Sequence, residues 1–118
     1  MYKRQLKDFG DLAGPLLDAP TEYEDKAWEK WGDSARLHQV RDALAGADAW
    51  EVAEIELVLR RMVDEAGVKP KDVFQPIRVA LTGTTVSPGI FESLWALGRE
   101  ESLSRVEKAL QKAESEAL

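Results

Sequence analysis

Apolar residues recur every three or four positions through most of this 118-residue chain. That spacing places them on one face of an α-helix, whereas a half-buried strand alternates apolar and polar residues. The clearest example is the run of Val52, Ile55, Leu59, Met62 and Ala66. No segment shows a convincing strand alternation, so the sequence predicts an all-α fold.

Glycine and proline punctuate the pattern and indicate where the helices end. We expect a short first helix over residues 4–17, which Gly14 and Pro15 interrupt or end. Four further helices should end at glycines, namely Gly32, Gly67, Gly83 and Gly98. Another is predicted over "DSARLHQVRDALAGA", where Leu37, Val40, Ala43 and Leu44 fall on one face. A last helix carries its apolar face through residues 103–117.

Helix starts are also predictable from capping chemistry. Asp48 precedes Glu51 by three residues, the spacing of a capping box that would open the helix of Val52. Pro70 suits the first turn of the next helix, while Pro76 should bend or interrupt it. Ser87 followed by Pro88 predicts another start, since a hydroxyl can cap free amides and proline fits position N1.

The chain shows no internal repeat, low-complexity tract or flexible linker. The best boundary is "GVKP", residues 67–70. It predicts two small helical lobes, over residues 1–68 and 69–118.

Composition excludes several classes of protein. The chain has no cysteine, so it can hold neither a disulfide nor a thiolate metal site. No segment approaches the roughly 20 apolar residues of a membrane span, and the amino terminus does not resemble a signal peptide. We therefore expect a cytoplasmic protein with no membrane partner.

A net charge of −6 is unfavourable for a general nucleic-acid binder. The charges are unevenly distributed, because residues 69–99 carry four basic and two acidic side chains. This basic stretch could receive a polyanion on one face, although four cations in that length also arise by chance.

Catalytic chemistry is not indicated by any motif. His38 is the single histidine, stands without a second metal ligand at suitable spacing and is interpreted as structural or surface. The many carboxylates follow amphipathic helices and are typical of a solvated face. Gly83 does not lie in a phosphate-binding GxxxxGK context. We predict no catalytic residue, no metal site and no cofactor in this chain.

The stretch "RVALTGTTVSPGIFESLW", residues 78–95, is the exception. Unstacked RNA bases are bound by hydrogen-bonding side chains and flat apolar surfaces. Arginine offers a planar fork of donors, and short hydroxyls donate or accept. The candidate residues are Arg78, Ser87, Pro88 and Ile90, with Thr82, Thr84 and Thr85 as possible accessory residues. The alternative is an ordinary inter-helix turn with a surface arginine and a core isoleucine.

Residues 75–110, "QPIRVALTGTTVSPGIFESLWALGREESLSRVEKAL", resemble the carboxy-terminal anticodon-binding region of bacterial glutamyl-tRNA synthetases. The family shares a proline, an arginine two residues later, "ALTG", "SP" or "TP", an apolar phenylalanine and "LG" before a basic residue and glutamate. The upstream half is also similar, more weakly before residue 45. The resemblance implies an all-helical cage of two lobes that docks on the anticodon stem-loop of tRNA(Glu).

By the same resemblance, Arg78 matches the family's arginine that approaches the anticodon loop. Ser87, Pro88 and Ile90 match a hydroxyl residue, a proline and an aliphatic residue that contact its bases, although leucine is commoner at the position of Ile90. The family also suggests a monomer.

The family's catalytic half has no counterpart here, because neither a "HIGH"-like nor a "KMSKS"-like sequence is present. ATP and Mg²⁺ would serve the catalytic domain of a parent synthetase, which would be a second partner. Two interpretations stay open: a carboxy-terminal part of a full glutamate–tRNA ligase, or a free-standing relative. The latter could be a protein-interaction module that uses the face of Trp95.

Overall fold

A computed structural model describes residues 20, 22–85 and 89–117, and this part of the chain contains six α-helices and no strand. In chain order they are α1 (Asp25–Trp31), α2 (Ser34–Ala45), α3 (Val52–Ala66), α4 (Pro70–Thr82), α5 (Ile90–Leu97) and α6 (Arg99–Ala117). The predicted all-α fold is therefore confirmed. The helix predicted over residues 4–17 lies outside the described residues.

In the described part of the chain, the five helices from α2 through α6 share one hydrophobic core. The long helix α6 packs along α2 and α4, while α5 packs on α3, and α1 contacts α4. The fully buried side chains at the centre come from five helices: Leu37, Val40, Leu44, Ile55, Leu59, Val73, Ile77, Leu81, Leu94, Val106 and Leu110. These residues are the apolar positions of the helical repeat. Because they lie on both sides of residues 68 and 69, the two predicted lobes share this core, and the boundary itself stays a prediction.

The predicted helix ends are largely confirmed. Gly67 and Gly83 end α3 and α4 in the left-handed conformation, with φ of 67° and 82°. Glycine adopts this conformation without the steric cost that a Cβ would bring. Pro70 occupies the first turn of α4, where its missing N–H would have no helical partner.

The capping box predicted at Asp48 is wrong. Helix α3 begins at Val52, and its N-cap is Glu51, which makes no side-chain capping hydrogen bond. The preceding segment is instead held by tertiary contacts. Trp50 Nε1 donates to the Leu94 carbonyl at 2.9 Å, and the Arg99 guanidinium lies 5.3 Å from the Trp50 ring centroid. Arg99 also donates to the carbonyls of Ala45 and Ala47, at 3.2 and 2.9 Å.

Pro76 does not interrupt α4. The helix continues from Pro70 to Thr82 with Pro76 buried inside it. A proline removes one backbone donor and normally costs a helix several kcal/mol, about 3 in an exposed interior. Here Val73, Ile77 and Ala80 bury the same helix in the core, and this tertiary packing outweighs the local penalty. The start predicted at Ser87–Pro88 lies outside the described residues; the described helix α5 begins at Ile90.

Candidate nucleic-acid interface

Arg78 lies in the third turn of α4 with its side chain half-buried. Its Nη1 donates to Gln75 Oε1 at 3.0 Å, one turn earlier. No carboxylate among the described residues pairs with it, although six other ion pairs are formed there. The guanidinium is therefore oriented by a neutral amide and keeps its charge available to a ligand.

The Thr82 hydroxyl closes the turn that follows α4. Thr82 Oγ1 donates to the Arg78 carbonyl at 2.9 Å and to the Thr84 carbonyl at 3.2 Å. It also accepts from the Thr84 backbone N–H at 3.4 Å. Since the hydroxyl proton is already shared between two carbonyls, Thr82 shapes the surface, whereas the half-buried Thr85 lines an open groove.

Gly83 joins this turn to the start of α1. Its carbonyl accepts from the Glu24 backbone N–H at 2.8 Å. A Cβ added at Gly83 would lie 2.6 Å from the Glu22 carbonyl oxygen, closer than non-bonded atoms approach. The chain before α1 thus packs directly on the turn, and α1 is fixed beside α4.

Helices α1 and α4 enclose a groove of about 410 Å³ next to Arg78. Three lysines and one glutamate supply its charge, so the groove is basic in a chain of net charge −6. Its lining residues are Glu24, Lys26, Ala27, Lys30, Trp31, Lys71, Gln75 and Thr85. A smaller hollow of about 160 Å³ shares Lys30 and Trp31 with it and reaches Arg36.

Sequence reasoning found Lys71 as part of the basic stretch but missed Lys26 and Lys30. These two lysines lie in the acidic first half of the chain and reach the site through the docking of α1. Their spacing of four residues, which puts both on one helix face, was the available signal.

Two of the predicted base-contacting residues, Ser87 and Pro88, lie outside the described residues. Ile90 begins α5 and is 3% exposed, because its side chain belongs to the hydrophobic core. The Ser93 hydroxyl donates to the Gly89 carbonyl at 2.8 Å and holds this end of α5. A base contact at Ile90 stays a prediction; the observed position of its side chain is in the hydrophobic core.

Arg105 of α6 is a buried support that sequence reasoning also missed. It is 2% exposed, and its Nη1 donates to the Leu81 carbonyl at 2.9 Å. Its Nε donates to Glu101 Oε2 at 2.7 Å, so the buried charge is paired. The cation lies at the carboxyl end of α4, where the helix dipole favours positive charge. The position of Arg105 on the apolar face of α6 was the only sequence signal that it is buried, and it was a weak one.

The described part of the chain contains neither a metal-binding cluster nor a membrane-spanning helix. No group of three or more histidine, aspartate or glutamate residues there could hold a metal ion. His38 Nε2 contacts Glu114 Oε2 at 2.9 Å, and its Nδ1 lies 3.1 Å from Arg41, so it links α2 to α6. Trp95 packs against the core. Among the described helices, none combines the length and apolar character of a membrane span.

Comparison with known proteins gives a consistent family. A family model described as an anticodon binding domain matches residues 3–110. Glutamate–tRNA ligase 2 of Rhizorhabdus wittichii is 38% identical over 110 residues, covering 93% of this chain and 21% of that protein. The glutamate–tRNA ligase of Mycobacterium marinum is 42% identical over 108 residues, covering 91% and 18%. The chain thus spans about a fifth of the length of these relatives.

A solved structure supports the same fold. A crystal structure of a glutamate tRNA ligase from Elizabethkingia meningosepticum, in complex with its amino acid, matches with a TM-score of 0.75 at 18% identity. The match covers 93% of this chain and 28% of that one. The resemblance seen in residues 75–110 is confirmed over most of the chain, which belongs to the anticodon-binding domain family and is homologous to a region of glutamate–tRNA ligases.

Proposed function

We propose that this chain binds the anticodon loop of tRNA(Glu) at the surface formed by Arg78 and the basic groove between α1 and α4. One observation carries the proposal: the Arg78 guanidinium, without an ion partner among the described residues, adjoins an open groove lined by three lysines. Membership of the anticodon-binding family and homology to glutamate–tRNA ligases supply the identity of the RNA.

Recognition would combine the planar Arg78 guanidinium with a turn of short polar residues. Arg78 can donate two parallel hydrogen bonds to a base edge or a phosphate. Thr84, Thr85 and Ser87 would add backbone and hydroxyl contacts. Pro88 and Ile90 would add apolar contacts, at Ile90 only through the 3% that is exposed. Thr82 would act indirectly by holding this turn.

The affinity of the chain alone should be modest and dependent on salt, because few cations are available to neutralise phosphates. Specificity would come from bases splayed out of the loop, as in most sequence-specific RNA recognition.

In a parent enzyme, this module would orient the tRNA so that its acceptor end reaches a catalytic domain elsewhere in the protein. ATP and Mg²⁺ would belong to that domain, which would attach glutamate to the tRNA in the cytoplasm. Whether the chain acts within such an enzyme or as a free-standing relative, the same RNA surface is proposed.

Titration of the tRNA(Glu) anticodon stem-loop tests the proposal. We expect Arg78→Ala to weaken binding roughly 5- to 150-fold, the loss typical of one specific arginine contact. Arg78→Lys should recover only part of this, since lysine keeps the charge but lacks the fork. Arg61→Ala is the matched control, because Arg61 is exposed on α3, away from the groove.

A stem-loop with altered anticodon bases should bind the unmodified protein more weakly and be less sensitive to Arg78→Ala. Binding that depends on neither Arg78 nor the anticodon bases would contradict the proposal and favour a protein-interaction role.

A further inference from the structure

The groove between α1 and α4 carries three lysines that form no ion pair with a described residue. Lys26, Lys30 and Lys71 are exposed, and none pairs with a carboxylate in the described segments. By contrast, Lys112 is bound to Glu116 at 2.6 Å. Three cations and one carboxylate, Glu24, leave a net positive charge around the opening, which a bound anion would offset.

Trp31 is the aromatic surface of the same groove. Trp28 and Trp50 pack against the core and donate their indole N–H groups, to Glu116 and to the Leu94 carbonyl. Trp31 is half-buried, lies outside that packing and makes no indole hydrogen bond to a described residue. The ammonium group of Lys30 lies 5.1 Å from its ring centroid. The ring therefore lines the opening beside a cation.

The groove is continuous with the proposed recognition site. Gln75 lines the groove and accepts the hydrogen bond from Arg78, and Thr85 belongs to the turn that follows α4. A strand whose nucleotide meets Arg78 would continue into the groove that the lysines line.

We infer that this groove binds the single-stranded RNA that adjoins the recognised bases, independently of its sequence. Lys26, Lys30 and Lys71 neutralise its phosphates, and Trp31 stacks on one base, the combination used by single-strand binding proteins. An acidic peptide would satisfy the lysines but would leave the aromatic ring without a flat partner. The inference rests on the proposed function and adds a second, sequence-independent subsite to it.

The first test measures how RNA affinity varies with salt. Lys26→Gln and Lys71→Gln are combined, because Lys30 also contacts Trp31. We expect the slope of log K against log salt to become shallower by about 1.4, or about 0.7 for each single-strand phosphate that a lysine no longer neutralises. The effect should be the same for the tRNA(Glu) stem-loop and for one with altered anticodon bases. Lys108→Gln, an exposed lysine of α6, should change nothing.

The second test replaces the stacking surface. Trp31→Leu should weaken binding of both stem-loops about tenfold, the usual effect of removing one base–aromatic stack, without changing the salt slope. Circular dichroism and thermal melting check that each variant remains folded.

The outcomes separate this inference from the proposed function. If the lysine pair behaves like Lys108→Gln while binding still depends on Arg78 and the anticodon, the groove inference is overturned, and anticodon recognition by Arg78 stands without the groove. If the lysine double variant makes the slope of log K against log salt shallower but binding does not depend on the anticodon, the groove inference stands and the proposed function is overturned. Absence of any stem-loop binding overturns both proposals. Polyglutamate is titrated in parallel as a model of an acidic protein segment. If the lysine substitutions weaken binding of polyglutamate alone, both proposals are overturned and an acidic protein segment is identified as the occupant.

Discussion

At the scale of single residues, a few side chains and one glycine fix the surface that we propose for RNA. Gly83 places the turn after α4 against residues 22–24, and Arg105 holds the Leu81 carbonyl from below. Arg78 is aligned by Gln75. The surface is therefore positioned by contacts that do not need the ligand.

Replacement of Gly83 by alanine should lower the free energy of unfolding by about 2–3 kcal/mol. The left-handed backbone alone costs a non-glycine residue about 1–2 kcal/mol, and the new Cβ would also press on the Glu22 carbonyl, 2.6 Å away. Urea denaturation measures the change. Gly67→Ala is the control, since Gly67 has a similar φ but no atom within 4 Å of an added Cβ. Equal losses in the two variants would show that the contact with Glu22 contributes little.

At the scale of elements, local sequence signals predicted the helices but not their docking. Four of the six described helices end at glycines that the pattern indicated, and Pro70 begins α4 as expected. The end of α2 at Gly46 had not been singled out. The Asp48 capping box failed because Trp50 is held by Leu94 and Arg99, which are distant in sequence. Such contacts cannot be read from a local pattern.

The residues of the candidate site also fall into two groups, those that the sequence identified and those that only the tertiary structure revealed. Arg78 and the threonine turn were identified because their chemistry lies in one continuous stretch. Lys26, Lys30 and Trp31 were missed because they join that stretch only when Glu24 bonds to Gly83. Sequence reasoning thus located one wall of the groove, and tertiary structure supplied the other.

Helix α1 is also tied to α6, at a contact that predicts a pH dependence. Trp28 Nε1 donates to Glu116 Oε1 at 2.7 Å, and Lys112 Nζ donates to Glu116 Oε2 at 2.6 Å. The Lys112 ammonium lies 5.0 Å from the Trp28 ring centroid. Two hydrogen bonds lower the pKa of Glu116 below its usual value, and the one from Lys112 contributes more than the one from Trp28.

Glu116→Gln should make stability less sensitive to acid. A carboxyl group with a lowered pKa in the folded state stabilises the protein above its unfolded pKa, about 4.3, and this contribution disappears as the pH falls through the folded pKa. We therefore expect urea denaturation to show a shallower loss of stability between about pH 5 and pH 3 in the variant. Glu65→Gln, on the exposed face of α3, should follow the unmodified protein. Identical slopes for all three proteins would contradict a stabilising role for the Glu116 contact.

At the scale of the whole molecule, the proposed function depends on where a few cations lie in an acidic chain. The net charge of −6 disfavours binding of polyanions over most of the surface, while Arg78 and the three groove lysines collect positive charge on one face. This arrangement suits the proposed role, which is to recognise one RNA loop without retaining other nucleic acids. The location of the RNA contact on the α1–α4 face is the central claim.

Amide chemical shifts of the ¹⁵N-labelled chain, followed as the tRNA(Glu) anticodon stem-loop is added, test this claim most directly. We predict shift changes concentrated in residues 24–31 and 71–90, with little change around the hollow between α2 and α3 lined by Asp42 and Val58. Changes centred on that second hollow, with Arg78 and α1 unaffected, would contradict the account.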